Sequence, residues 1–355
     1  MNRRNFMKYL GGSSLAMLCD TSAASELMTS SAKPVFDLSK QYNGSLRFNS
    51  DGRFKIVQFT DCHYKVDDKK NSQPTIDRMN DVLDRERPDF VMYTGDIVVS
   101  CESFTGLDTV LSLVIDRNIP FGFVFGNHDD EYDHTRQELY DYIQKKKGAL
   151  MPVRTEDSAP DYFIPIMSSA NSSKFASILY CIDSHSYTQI KSVPGYDWIK
   201  FNQISWYRKL SETLTKQNNG IPLPALAFFH IAIPEYHTAV QDDANRLFGI
   251  KGEGVCCPTT NSGFFSSAKE CGDIMGMFVG HDHDNDYAVM YRDVLLAYGR
   301  YTGGNTVYND IPNGARIINL YEGERKFDTY IRTTNGEINT RLTYPDTFTV
   351  KNVNK

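Results

Sequence analysis

Five short apolar runs in this chain each close on a residue that can bind a cation or a phosphate, and that repetition constrains the fold more than any other feature. Phe54 to Thr60 leads into Asp61-Cys62-His63, Phe90 to Thr94 into Gly95-Asp96, and Phe121 to Phe125 into Gly126-Asn127-His128-Asp129. Ala225 to Phe229 ends at His230, and Met275 to Val279 ends at Gly280-His281-Asp282-His283. Runs of this length bounded by glycine or polar residues read as buried strands. In open α/β sheets, ligand sites gather at the carboxyl ends of strands. In the His-x-His and Asp-x-His pairs, strand alternation would put both outer side chains on one side and turn the middle residue, such as Cys62, away.

Between these runs lie helical patterns, which argues for crossover connections and a largely parallel sheet. The spacing of Ile76, Met79, Val82 and Leu83 predicts a helix over 75–86, opened by Pro74 and stopped by Pro88. Further helices are expected near 107–117, 135–147 and 202–214, and a hairpin pairs 161–166 with 175–182. The stretch from Glu235 to Phe264 reads as a long loop. The second half is more antiparallel, with hairpins about Arg292-Asp293, Glu322-Gly323 and Asn335-Gly336.

Taken in order, Asp-x-His, Gly-Asp, Gly-Asn-His-Asp, a strand-terminal His and Gly-His-x-His resemble the motif set of the calcineurin-like metallophosphoesterase superfamily, from about Phe54 to the end of the chain. Phe228 to Glu235 and Asn261 to Phe265 further resemble its purple-acid-phosphatase-like branch. The purple enzymes carry a tyrosine three residues after the Gly-Asp aspartate, where this chain has Val99. The resemblance implies an α/β fold, a four-layer α/β/β/α sandwich of two mixed β-sheets flanked by helices. It implies two divalent or mixed-valence ions (manganese, iron or zinc), one held by Asp61, His63, Asp96 and His283, the other by Asp96, Asn127, His230 and His281, with Asp96 bridging. It also implies hydrolysis of phosphomonoesters by attack of a metal-bound hydroxide, His128 serving the leaving group and Asp129 orienting His128. Phosphodiesters of nucleotides or glycerol are the alternative substrates, and a non-catalytic binding module on the same scaffold is the remote alternative. His134, His185 and His237 fall outside the motifs and stand as candidate substrate contacts, and Tyr64, Tyr236 and Asn261 as residues lining the cleft.

The chain of 355 residues carries a formal charge of -6 with no basic block, so the partner implied is a small phosphorylated substrate and not nucleic acid. No apolar run reaches membrane-spanning length. Residues 1–25 read as an export signal: Arg3, Arg4 and Lys8 precede a mildly apolar centre, and Ser22-Ala23-Ala24 forms a cleavage region. The order Arg3-Arg4-Asn5-Phe6-Met7-Lys8 fits a twin-arginine signal as well as an ordinary secretory one. Residues 26–34 read as a polar tether and 35–355 as one catalytic domain, in a periplasmic or extracellular protein. Cys19 follows Leu18, a poor context for lipidation. The remaining six cysteines show no paired metal spacing and read as buried thiols.

Overall fold

Each of the five runs forms a strand, and the strands belong to two sheets. The computed structural model describes residues 37–38, 41–153, 161–242, 245–304, 311–334 and 336–349. The export signal and tether assigned to residues 1–34 lie outside them. The strands are β1 (Leu46–Arg47), β2 (Arg53–Phe59), β3 (Phe90–Thr94), β4 (Phe121–Val124), β5 (Tyr162–Met167), β6 (Phe175–Cys181) and β7 (Ala225–Phe228). They continue as β8 (Leu247–Phe248), β9 (Ile274–Val279), β10 (Ala288–Tyr291), β11 (Val294–Tyr298), β12 (Gly314–Tyr321), β13 (Phe327–Thr333) and β14 (Ile338–Tyr344). The helices are α1 (Lys69–Glu86), α2 (Ser103–Ile115), α3 (Arg136–Ile143), α4 (Phe201–Gln217), α5 (Pro234–Gln241) and α6 (Phe264–Cys271).

One sheet runs β14-β13-β12-β2-β3-β4, the other β1-β5-β6-β7-β9-β11-β10-β8. Both are mixed: β2, β3 and β4 are parallel while β12 runs against β2, and β6, β7, β9 and β11 are parallel while β10 runs against β11. The two sheets share a core. Tyr162 on β5 donates its hydroxyl to the Phe123 carbonyl on β4 at 2.9 Å, and Gln58 on β2 donates to the Val279 carbonyl on β9 at 3.0 Å. Strands buried on both faces are apolar throughout, which is why these runs read as continuous. Helix α1 packs on β2 and β12, and α6 on β9, so helices flank the paired sheets as the four-layer class requires. The buried Met79, Val82 and Leu83 of α1 each contribute about 1.5–3 kcal/mol.

Helix α2 begins four residues earlier than the sequence expectation and α3 ends four residues sooner, and two further differences have a clear cause. Helix α1 starts at Lys69, because Asp68 accepts the Asn71 N–H and Pro74 is tolerated within the opening turns. The expected loop from Glu235 to Phe264 contains α5 and β8. Pro234 occupies the first turn of α5, and β8 is only two residues long and exists by pairing with β10. That pairing is non-local and leaves no periodic signal. Among the described residues no helix is long and apolar enough to cross a membrane.

Candidate metal centre

The loops leaving β2, β3, β4, β7 and β9 bring their polar residues to one place. Within the cluster Asp61, His63 and His283, the candidate ligand atoms all lie within 4.8 Å of one another, and the same holds for Asp96, His230 and His281. The two groups meet at one atom: Asp96 Oδ2 is 3.1 Å from His230 Nε2 and 3.7 Å from His63 Nε2. Asp61 Oδ1 is 3.5 Å from His283 Nε2 and 4.0 Å from His230 Nε2. Asp96 spends its other oxygen on the His128 backbone N–H at 2.8 Å. Asp61 accepts the Thr60 hydroxyl at 2.7 Å and the His281 N–H at 3.0 Å.

Strand alternation does not arrange these side chains. Strands β2 and β9 end at Phe59 and Val279, short of the ligands, and Asp61, His63, Asp96 and His281 all have positive φ, from 46° to 77°. His281 and His283 therefore diverge into different clusters instead of sharing one point. Non-glycine residues in this region are strained by about 1–3 kcal/mol each, and such strain gathers at functional sites. Glycines make the crowding feasible. A Cβ on Gly126 would collide with Asp96 Oδ1, and one on Gly280 would collide with Thr60 Oγ1 and stand 2.7 Å from Asp61 Oδ2.

Burial alone would raise the Asp96 pKa, but the neighbouring His230 and His63 outweigh it and hold the carboxyl well below the usual range. Burial disfavours charge on His230 too, yet Asp96 and Asp61 raise it to about 9. Burial and then the nearby His230 push His281 down to about 3. His63 Nε2, Asn127 Oδ1, His230 Nε2 and His281 Nε2 are buried with no hydrogen-bond partner. Buried ligand-type atoms left without a hydrogen-bond partner are costly unless a cation satisfies them. The donor set, imidazole with carboxylate and amide oxygen, suits manganese, iron or zinc.

His128 is at the rim, its ring 5.8 Å from that of His63. Its orienting partner is Glu131 and not Asp129: His128 Nδ1 lies 2.6 Å from Glu131 Oε2. The Asp129 carboxylate is committed to backbone, accepting the N–H groups of Asp96 at 2.9 Å, Ile97 at 2.8 Å and Gly126 at 2.7 Å. It is buried and holds the Asp96 and Asn127 loops together. The spacing of Glu131 three residues after His128 was the available signal. Asn261 meets Glu235 at 2.8 Å and Tyr236 is buried with its hydroxyl on the Met277 carbonyl, so both serve packing. His185 bonds Gln203 and His134 bonds Ser103 and stacks on Phe104, which gives each a structural partner. His237 pairs with Gln241 on the exposed side of α5.

Cys62 is buried against Met79, turned from the ligands as expected. The expectation of buried thiols holds for Cys62 and Cys181 but not for Cys101 and Cys256, which are exposed.

Residues 54–255 match the family described as calcineurin-like phosphoesterase. The chain is 32% identical over 285 residues to the Arabidopsis thaliana protein named "Probable inactive purple acid phosphatase 29", covering 72% of this chain and 73% of that one. It is 33% identical over 312 residues to Phosphatase DCR2 of Saccharomyces cerevisiae, covering 78% of this chain and about half (52%) of the yeast protein. A dimetal phosphatase from Danio rerio shares the fold, with a TM-score of 0.59 at 14% identity over 82% of this chain and 98% of the other.

Proposed function

This chain belongs to the calcineurin-like phosphoesterase family, and from that premise we propose that it is a metal-dependent phosphatase acting on phosphomonoesters. The observation that carries the reading is the pair of buried carboxylate–histidine clusters, Asp61 with His63 and His283 and Asp96 with His230 and His281, approaching each other where Asp96 Oδ2 lies near both His230 and His63. Asp61, His63, Asp96 and His283 would hold one ion, and Asp96, Asn127, His230 and His281 the other. When bound, such a pair neutralises phosphate oxygens and makes water a nucleophile at neutral pH.

The remaining work belongs to the protein. Asp96 joins the two halves, and Thr60 and the His281 N–H hold Asp61 in place. Glu131 fixes the His128 ring through Nδ1, which leaves Nε2 to protonate the leaving alkoxide. Two divalent charges less the two aspartates leave a net charge of about +2, which favours a monoester dianion over a diester monoanion. The acidic chain offers no basic track for a polynucleotide.

The name of the Arabidopsis relative favours a second reading, a non-catalytic scaffold. Against it, all seven candidate donors are present in this chain, and six of them lie in two close groups. Turnover of p-nitrophenyl phosphate and its bis-ester by protein loaded with manganese, iron or zinc tests both. Faster monoester hydrolysis supports the proposal, faster diester hydrolysis replaces it with a phosphodiesterase, and metal uptake without hydrolysis supports the scaffold. Export through residues 1–25 is part of the same proposal and is tested by cell fractionation.

A further inference from the structure

The loop between β6 and α4 folds back on itself beside the centre and carries two tyrosines to its rim. The Thr188 N–H donates to the Gly195 carbonyl at 3.1 Å and the Asp197 N–H to the Ser186 carbonyl at 2.9 Å, pinning Tyr187 opposite Tyr196. Their rings stack with centroids 5.4 Å apart and 23° between planes. Tyr196 stands edge-on to His281 at 4.5 Å, and Asn127 donates its amide N–H to the Tyr187 hydroxyl at 3.4 Å. The pair is therefore anchored to two residues of the candidate centre.

Tyr196 covers one face of Tyr187, yet Tyr187 remains 43% exposed. Backbone hydrogen bonds already close the loop, so an exposed ring beside the centre is not needed to shape it. A ring face backed by a second ring is a rigid stacking surface, and aromatic pairs gain beyond their buried area. The Tyr187 hydroxyl meets Asn127, so that surface begins one side chain away from the candidate ligands and suits a ring carried close to the phosphate. Resting on the phosphatase reading, we propose that Tyr187, backed by Tyr196, stacks on the leaving group of the substrate, and that the site selects phosphate esters whose aromatic ring is joined directly to the ester oxygen.

Two phosphonates separate stacking from size. Benzylphosphonate carries a planar ring where cyclohexylmethylphosphonate carries a puckered one of similar bulk, and both replace the ester oxygen with carbon. Calorimetric binding to manganese-loaded protein should favour the benzyl compound roughly threefold to tenfold. Tyr187→Leu should erase that ratio and Tyr187→Phe should keep it. Equal affinities in the wild type, or a preference that survives Tyr187→Leu, overturn the inference while leaving the phosphate site intact. Failure of both phosphonates to bind removes the phosphate site itself, and this inference with it.

Discussion

His230 donates its Nδ1 proton to the Thr94 carbonyl oxygen at 2.7 Å, and this commits Nε2 to the centre, 3.1 Å from Asp96 Oδ2. A backbone carbonyl at the end of β3 thereby sets the orientation of an imidazole at the end of β7, two strands in different sheets. Second partners of this kind orient ligating histidines and typically tune affinity by 10- to 100-fold.

His230→Ala should therefore lower the metal content of purified protein from two ions per chain toward one, whereas Asp96→Ala, which removes the shared oxygen, should empty both positions. Elemental analysis of protein with an unchanged circular dichroism spectrum measures this. With Val99 in place of a tyrosine, loaded wild-type protein should show no strong visible charge-transfer band.

His128→Ala should reduce turnover by about two to four orders of magnitude while metal content survives. Glu131→Gln keeps the ring but weakens its hold, so a loss of about tenfold in turnover is expected while metal content survives. Unchanged turnover in Glu131→Gln would sink the orienting role.

Asp129→Asn should act through folding of the loops. An amide replaces one acceptor oxygen with a donor facing backbone N–H groups, at a cost of about 1–3 kcal/mol. Thermal melting reads the stability loss, and metal affinity should fall with it, since Asp96 and Asn127 lean on this carboxylate.

Gly280→Ala tests the crowding at Asp61. The added Cβ has no room between Thr60 and Asp61, so the ligand must move, and metal retention should drop even where the melting temperature changes little.

Far from the centre, Glu86 is buried among Lys55 at 3.0 Å, Tyr330 at 2.7 Å and Arg332 at 2.6 Å. Burial raises its pKa, but Tyr330, Lys55 and Arg332 together outweigh it, and the folded value lies below the ordinary one near 4.5. A depressed carboxylate stabilises the fold fully above its unfolded pKa and loses that contribution as pH falls through the folded value. Melting temperatures should accordingly fall below about pH 4.5, and Glu86→Gln, less stable at pH 7, should show a shallower acid limb.

The ordered motifs are sufficient to locate the donors, because each follows a buried apolar run and such runs survive in sequence as unbroken hydrophobic stretches. Most strands and the more antiparallel second half follow from the same local pattern, whereas the two-residue β8 does not. The roles of Asp129 and Glu131 do not: both lie close to His128, and only the path of the chain decides which carboxylate meets the ring and which meets backbone. Tyr187 and Tyr196 carry no spacing signal, since an exposed aromatic in a loop looks alike whether it faces solvent or a reaction centre. Local chemistry, encoded residue by residue, determined which side chains could bind a cation. Their division into two clusters about Asp96 was decided by left-handed turns beyond the strand ends and by two sheets packed face to face, because convergence across hundreds of residues depends on contacts that no local window contains.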